Sequence, residues 1–182
     1  MKKNILILTG SPRKNGNSEI LADAFAKGLE TAGHTVNKYR AGKKKIGGCT
    51  ACNKCYSKNG QACVFNDDFN ELAPLLENAD VLVLATPLYW FTFPAQIKAA
   101  IDKLYALLVG KRNLKIKECV LLVCAETDDM KDFDGIVRSY ELIYNYMKWE
   151  NLGMLLIPNV NNVGDILQTD ALEKAEKLGE SI

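Results

Sequence analysis

With 182 residues, 48% of them hydrophobic, the chain is long enough to bury a core of its own without crosslinks. Its 23 basic and 22 acidic residues leave a formal charge of +1, which removes the electrostatic case for nucleic acid or an anionic membrane surface. No run approaches the ~20 apolar residues that cross a bilayer, and six cysteines, four of them clustered, are too few and too local for a secreted disulfide framework. The expectation is one domain over residues 1–182, cytoplasmic, with small-molecule partners and neither nucleic acid nor membrane.

The apolar run Ile5–Thr9 is too short for a signal peptide and predicts a buried first strand. Ile20, Leu21, Ala24, Phe25, Gly28 and Leu29 then recur on one face of a helix over Ser18–Ala32. A strand at His34–Arg40 leads into an irregular segment, Ala41–Asn66, of a length that in compact domains usually has a function. Next come a helix at Asp68–Glu77, a strand at Val81–Thr86 and a helix at Pro94–Leu108. A strand at Cys119–Ala125, a helix at Phe133–Asn151, a strand at Leu155–Val160 and a helix at Thr169–Gly179 complete the chain. Strands alternating with helices predict the α/β class, with a five-stranded parallel sheet covered on both faces.

Gly10–Ser18 joins the first strand to the first helix, where unpaired N–H groups and the positive end of the helix dipole make an anion site. Ser11, Asn17 and Ser18 add short donors and Arg13 a guanidinium fork suited to a phosphate. A polar turn with a Ser or Asn cap would use the same residue types. No Gly-Lys-Ser/Thr and no G-x-G-x-x-G is present, so neither a Walker loop nor a dinucleotide fingerprint is formed. Gly10, Ser11, Arg13, Asn17 and Ser18 fill the pattern Gly-Ser-x-Arg-x-x-x-Asn-Ser/Thr, which resembles the FMN-phosphate loop of the NADPH-dependent FMN reductase family. The resemblance implies a flavodoxin-like three-layer α/β/α sandwich of strand order 2-1-3-4-5, with FMN as cofactor. In that order the crevice lies beyond the carboxyl ends of strands 1 and 3, here Thr9 and Thr86.

Thr86 is followed by Pro87-Leu88-Tyr89-Trp90-Phe91-Thr92-Phe93-Pro94, which supplies apolar faces and backbone donors for a planar ring. The stretch resembles the same family's Ser/Thr-Pro-x-Tyr pattern and its Leu/Ile-Lys-x-x-Ile-Asp-Arg continuation, with Lys103 where the family has Arg. Pro87, Leu88, Tyr89 and Trp90 are the expected flavin-facing residues, with backbone N–H groups near Tyr89 and Trp90 at the pyrimidine edge. Phe91 and Phe93 are assigned to dimer packing. Packing in the core or a subunit interface is the alternative for these aromatics. A third family loop would fall near Ala125–Asp128, where the match is weak. The resemblance further implies an enzyme passing electrons from NAD(P)H to a quinone, flavin or other small acceptor. It needs no catalytic side chain and forms a homodimer or homotetramer.

Cys49, Cys52, Cys55 and Cys63 place four thiols within fifteen positions, a spacing closer to an iron–sulfur ligand set than to paired zinc ligands. Lys43, Lys44, Lys45, Lys54 and Lys58 would offset a cluster's negative charge. The segment resembles that of iron–sulfur flavoproteins with a four-iron four-sulfur cluster beside FMN. That implies an alternative role as an electron carrier, with ferredoxin as a protein partner. Reduced thiols, zinc and a regulatory disulfide stay open beside the cluster. Asp67 and Asp68 are expected to cap the next helix, and Asp128, Asp129, Asp132 and Asp134 to serve a helix dipole. Cys119, Cys124 and the stripe Tyr140, Ile143, Tyr144, Met147 and Trp149 are expected in the core, with a subunit interface as the alternative for the stripe, and His34 at the surface.

Overall fold

The computed structural model describes residues 1–182. Strands β1 (Asn4–Thr9), β2 (Thr35–Tyr39), β3 (Val81–Pro87), β4 (Glu118–Cys124) and β5 (Glu150–Ile157) form one parallel sheet in the order β2-β1-β3-β4-β5. Helices α1 (Asn17–Thr31), α2 (Phe69–Asn78), α3 (Ala95–Asp102), α4 (Leu104–Val109), α5 (Asp134–Met147) and α6 (Ala171–Glu180) cover it. The arrangement is the expected flavodoxin-like sandwich, and no helix is long and apolar enough to cross a membrane.

Alternation along the strands divides the core into two layers. Ile5, Ile7, Val81, Val83, Val120 and Leu122 pack with Leu21, Phe25 and Leu29 of α1 and Ala171 and Ala175 of α6. Leu6, Leu8, Leu82, Leu84, Leu121 and Val123 pack on the other face with Phe69, Leu72, Ile97, Ile136 and Tyr140. α1 and α6 touch backbone to backbone: a Cβ on Gly28 would overlap the Glu176 carbonyl, and one on Gly179 the Phe25 carbonyl. α1, which carries the phosphate-type loop at its start, is therefore fixed against both the sheet and its neighbour α6.

Most element ends fall within three residues of the sequence expectation, and three boundaries differ in kind or by more. The helix expected over Pro94–Leu108 is interrupted at Lys103, where α3 ends and α4 begins. Ile97, Ile101 and Leu104 keep one apolar stripe across that point, so periodicity does not reveal it. α5 stops at Met147 because Lys148 takes a left-handed conformation, with the Trp149 N–H donating back to the Tyr144 carbonyl at 2.9 Å. β5 then begins at Glu150 rather than Leu155. It pairs only with β4 and its residues are mostly half-buried, so its polar start carries no apolar signal.

Candidate functional site

β1 and β3 end side by side at the point where the winding reverses, and Gly10 passes directly over Thr86. A Cβ at Gly10 would overlap the Thr86 hydroxyl, so only glycine lets the loop leave β1 at this angle. Beyond it opens a cleft of about 570 Å³, in the range typical of small-molecule sites. Ser11, Arg13, Asn17 and Ser18 line it on one side and Pro87, Leu88, Tyr89 and Trp90 on the other, so all eight expected residues meet there.

α1 starts without a side-chain cap, because its N-cap residue is Gly16. The Asn17 and Ser18 N–H groups have no backbone acceptor, and Ser18 is buried beside them. The Ser11 hydroxyl accepts the Arg13 N–H at 3.2 Å, which leaves its own proton free to donate. The Asn17 side chain departs from expectation. Its Nδ2 donates to the Asn162 carbonyl at 2.8 Å, and its Oδ1 accepts the Gly164 N–H at 3.0 Å. It ties α1 to the loop after β5, leaving only its main chain to face an anion. Arg13 leans the same way, donating to the Asn161 carbonyl at 3.2 Å while remaining exposed.

The aromatic stretch is a tight hairpin in which Tyr89 and Thr92 exchange both backbone hydrogen bonds at 3.0 Å. Its turn residues, Trp90 and Phe91, both have positive φ, a conformation that hairpin turns demand and bulky residues rarely adopt. The Tyr89 N–H is thereby committed to Thr92, so the donors open to a ligand are those of Trp90 and Phe91. Trp90 is 91% exposed, whereas Phe93, assigned from sequence to dimer packing, is buried in the core.

Two further loops complete the cleft. Cys124, Ala125, Glu126 and Thr127 follow β4, and the Thr127 hydroxyl donates to Asp132 at 2.6 Å. That contact gives Asp132 a local partner in the cleft wall beyond the expected dipole role. Asp129 accepts the Lys131 N–H instead, capping a short 3₁₀ turn. Val160 and Asn161, from the loop after β5, close the remaining side. Sequence reasoning missed Val160, Asn161 and Asp132 and assigned Phe91 to dimer packing and Cys124 to the core, although both line the cleft; the polar Asn-Asn-Val-Gly turn after the last strand was the one available signal for the loop after β5. Burial pushes the Cys124 thiol up to about 12, so it presents a neutral wall to the cleft.

The second region is the cysteine segment. Cys49, Cys52, Cys55 and Cys63 all line one pocket, together with Phe65, Lys103 and Tyr105. No three of these side chains sit close enough together to hold a single ion. The Cys55 thiol is pushed up by burial and by the like charges of Cys52, Cys63 and Cys49, whereas hydrogen bonds from the Lys54 backbone and Thr50 lower Cys52.

Side chains hold this segment in place. Lys103, only 3% exposed, pairs with Asp67, and Asp67 also accepts the Gly47 N–H at 3.0 Å and the Phe69 N–H at 3.1 Å. Asp68 accepts the Lys45 N–H at 2.7 Å and makes no side-chain cap. The two aspartates therefore pin the segment, rather than simply capping α2. Glu77 accepts the Tyr56 hydroxyl at 2.7 Å and both Arg112 Nε and Nη2, near 3.0 Å. Of the lysines expected to offset a cluster, Lys44 pairs with Glu71, and the pocket's cation is Lys103. His34, expected at the surface, is half-buried and accepts the Lys3 N–H at 3.1 Å, with burial lowering its pKa.

Residues 3–159 match the sequence profile of the family described as NADPH-dependent FMN reductase. The chain belongs to that family. Among relatives of this FMN reductase family member is an iron–sulfur flavoprotein of Methanosarcina thermophila, 29% identical over 166 residues that cover 91% of this chain and 83% of that one. An iron–sulfur flavoprotein of Archaeoglobus fulgidus is 42% identical over 97 residues, 53% of this chain but only 43% of that protein. Among solved structures, an NAD(P)H:quinone oxidoreductase from Methanothermobacter marburgensis superposes with a TM-score of 0.73 at 20% identity. That match covers 100% of this chain and 96% of that one and supports the shared fold.

Proposed function

We propose that this family member is an FMN-dependent oxidoreductase that oxidises NAD(P)H and reduces a small acceptor such as a quinone or a flavin. The observation that carries the reading is the uncapped α1 N-terminus at the sheet's switch point, sharing one cleft with an aromatic hairpin. The residues fit FMN. The free Asn17 and Ser18 N–H groups, the Ser11 and Ser18 hydroxyls and Arg13 form a donor set for a phosphate dianion. Pro87, Leu88, Tyr89 and Trp90 offer an apolar wall for a planar ring. FMN bound there supplies the redox chemistry. The chain's part is to bind, orient and polarise. The unpaired Trp90 and Phe91 N–H groups are placed to stabilise negative charge on a ring edge, and the neutral Cys124 thiol adds none of its own.

Assembly as a homodimer or homotetramer belongs to the same reading. It is supported by exposed Trp90 and Phe91 at the cleft mouth and by Leu142 and Tyr146 on α5. A cytoplasmic location agrees with the clustered thiols, which suit a reducing compartment. A second reading, an electron carrier with a four-iron four-sulfur cluster and a ferredoxin-like partner, is favoured by the single pocket that Cys49, Cys52, Cys55 and Cys63 share.

The test is the absorption spectrum of anaerobically purified protein before and after dithionite, followed by turnover with NADPH and a quinone. Flavin bands and rapid NADPH oxidation support the enzyme. A broad bleachable absorption under the flavin bands, with no NAD(P)H turnover, moves the carrier reading ahead. Absence of flavin even after added FMN overturns both.

A further inference from the structure

One charge near the phosphate-type loop does not itself line the cleft. Glu19 lies in the first turn of α1, within the loop-to-helix stretch that lines the cleft, yet it is only 4% exposed. A buried carboxylate beside a dianion site repels the ligand, so its presence calls for a compensating function. The helix dipole favours an acid at this position, but an exposed one would gain that benefit without the burial.

The neighbours of Glu19 show what it does. Its Oε2 accepts the N–H of Asn15 at 3.2 Å, and Asn15 holds a left-handed backbone (φ 54°) at the bend of the loop. Ser11 fixes the first half of the same loop through the Arg13 N–H, so Ser11 and Glu19 together determine its path. Arg40, at the end of β2, places its Nε 2.6 Å from Glu19 Oε1. The N–H is not aligned for a hydrogen bond, so that oxygen is charge-compensated without being hydrogen-bonded. Lys43 lies 4.0 Å from the other oxygen. The chain beyond Arg40 closes the arrangement, since Gly42 packs directly against the Ser11 carbonyl.

We infer that Glu19 and Arg40 are a positioning pair for FMN phosphate recognition, an inference that rests on the FMN reading above. Glu19 holds Asn15 in its bend, so that the Gly16–Ser18 main chain faces the phosphate. Arg40 cancels the charge that this support brings under the loop. Neither residue touches the ligand, and neither takes part in the redox reaction.

Equilibrium dialysis of the full chain, stripped of flavin, against FMN and riboflavin tests this. Riboflavin has the ring without the phosphate, so it separates loop effects from cleft effects. Glu19→Ala is expected to weaken FMN binding about tenfold while riboflavin affinity stays within about twofold. Glu19→Gln keeps an oxygen acceptor for Asn15 and loses less. Arg40→Met leaves the carboxylate with only Lys43, 4.0 Å away, as a counter-charge and weakens FMN, and adding Glu19→Gln to it restores affinity to the level of Glu19→Gln alone. A Glu19→Ala protein that binds FMN as tightly as the parent, or more tightly, overturns the inference. So does an equal loss of FMN and riboflavin, or a double variant with no recovery. A parent chain that binds no FMN overturns the FMN reading itself, before any substitution is made.

Discussion

The phosphate-type loop and the cysteine segment are both irregular and both suited to negative charge, but they are held by different physics. Gly10–Ser18 is short, leaves a central strand and runs into a helix clamped by the sheet and α6. Its open donors combine the Asn17 and Ser18 amides, whose direction the fold sets, with the Ser11 and Ser18 hydroxyls and Arg13. Residues 41–66 lie between an edge strand and α2 and hold four non-glycine residues at positive φ, Ala51, Asn53, Tyr56 and Asn59. The segment reaches the core through Ala41, Ala62 and Cys63 and is tied at its polar side by Asp67–Lys103 and by Glu77 with Tyr56 and Arg112. A scaffolded loop can lose a donor side chain with little loss of overall stability, whereas a loop tied by ion pairs loses stability with each of them.

Removing Asp67 breaks that comparison most severely. Asp67→Ala leaves Lys103 buried without a partner and two N–H groups without an acceptor, a cost of about 3 kcal/mol in urea unfolding. The cysteines of the segment should then react faster with a thiol reagent, while Cys119 and Cys124 stay protected. An unchanged urea midpoint would show that something else holds the segment.

The scaffolded loop behaves in the opposite way. Gly28→Ala forces α1 off α6 and is expected to cost about 2 kcal/mol, with FMN affinity little altered so long as α1 remains folded. Calorimetry alongside a flavin titration separates the two effects, and a parallel collapse of both would show that the loop is not buffered by its helix. Ser18→Ala should do the reverse, weakening FMN about tenfold with the melting temperature nearly unchanged.

Acid gives the finest discrimination. The Arg112 guanidinium, ahead of the Tyr56 hydroxyl, holds the Glu77 carboxyl below its usual value of 4.5. A carboxyl with a depressed folded pKa stabilises the protein above the unfolded value, and that stability is lost as pH falls from 4.5 through the folded pKa. Thiol accessibility in residues 49–63 should therefore rise below pH 4.5 before the phosphate-type loop responds, and Glu77→Gln should remove that pH dependence. A pH profile unchanged by Glu77→Gln would assign the effect to other carboxylates.

Much of the scaffolded region was legible because its signals are local. The buried run Ile5–Thr9, the loop after it and the hairpin after Thr86 occupy adjacent positions, and the strand order then brings them together. What stayed hidden depends on distant partners. Asn17 reads as a phosphate donor until Asn162 and Gly164, some 145 residues away, take its side chain. Asp67 reads as a helix cap until Lys103 is found beneath it. Lys103 falls between members of the apolar stripe Ile97, Ile101 and Leu104, and the start of β5 has too little burial to leave a hydrophobic pattern. Local periodicity reports which face is buried, but not which polar groups meet across it.

The placing of the two tryptophans gives the molecule separate optical reporters. Trp149 is 7% exposed in the core beside β5, whereas Trp90 stands 91% exposed on the hairpin at the cleft. Emission from the first follows the integrity of the fold, and emission from the second follows what occupies the cleft mouth. Quenching of the red-shifted component alone would therefore register a ligand arriving on an intact scaffold, with no label added.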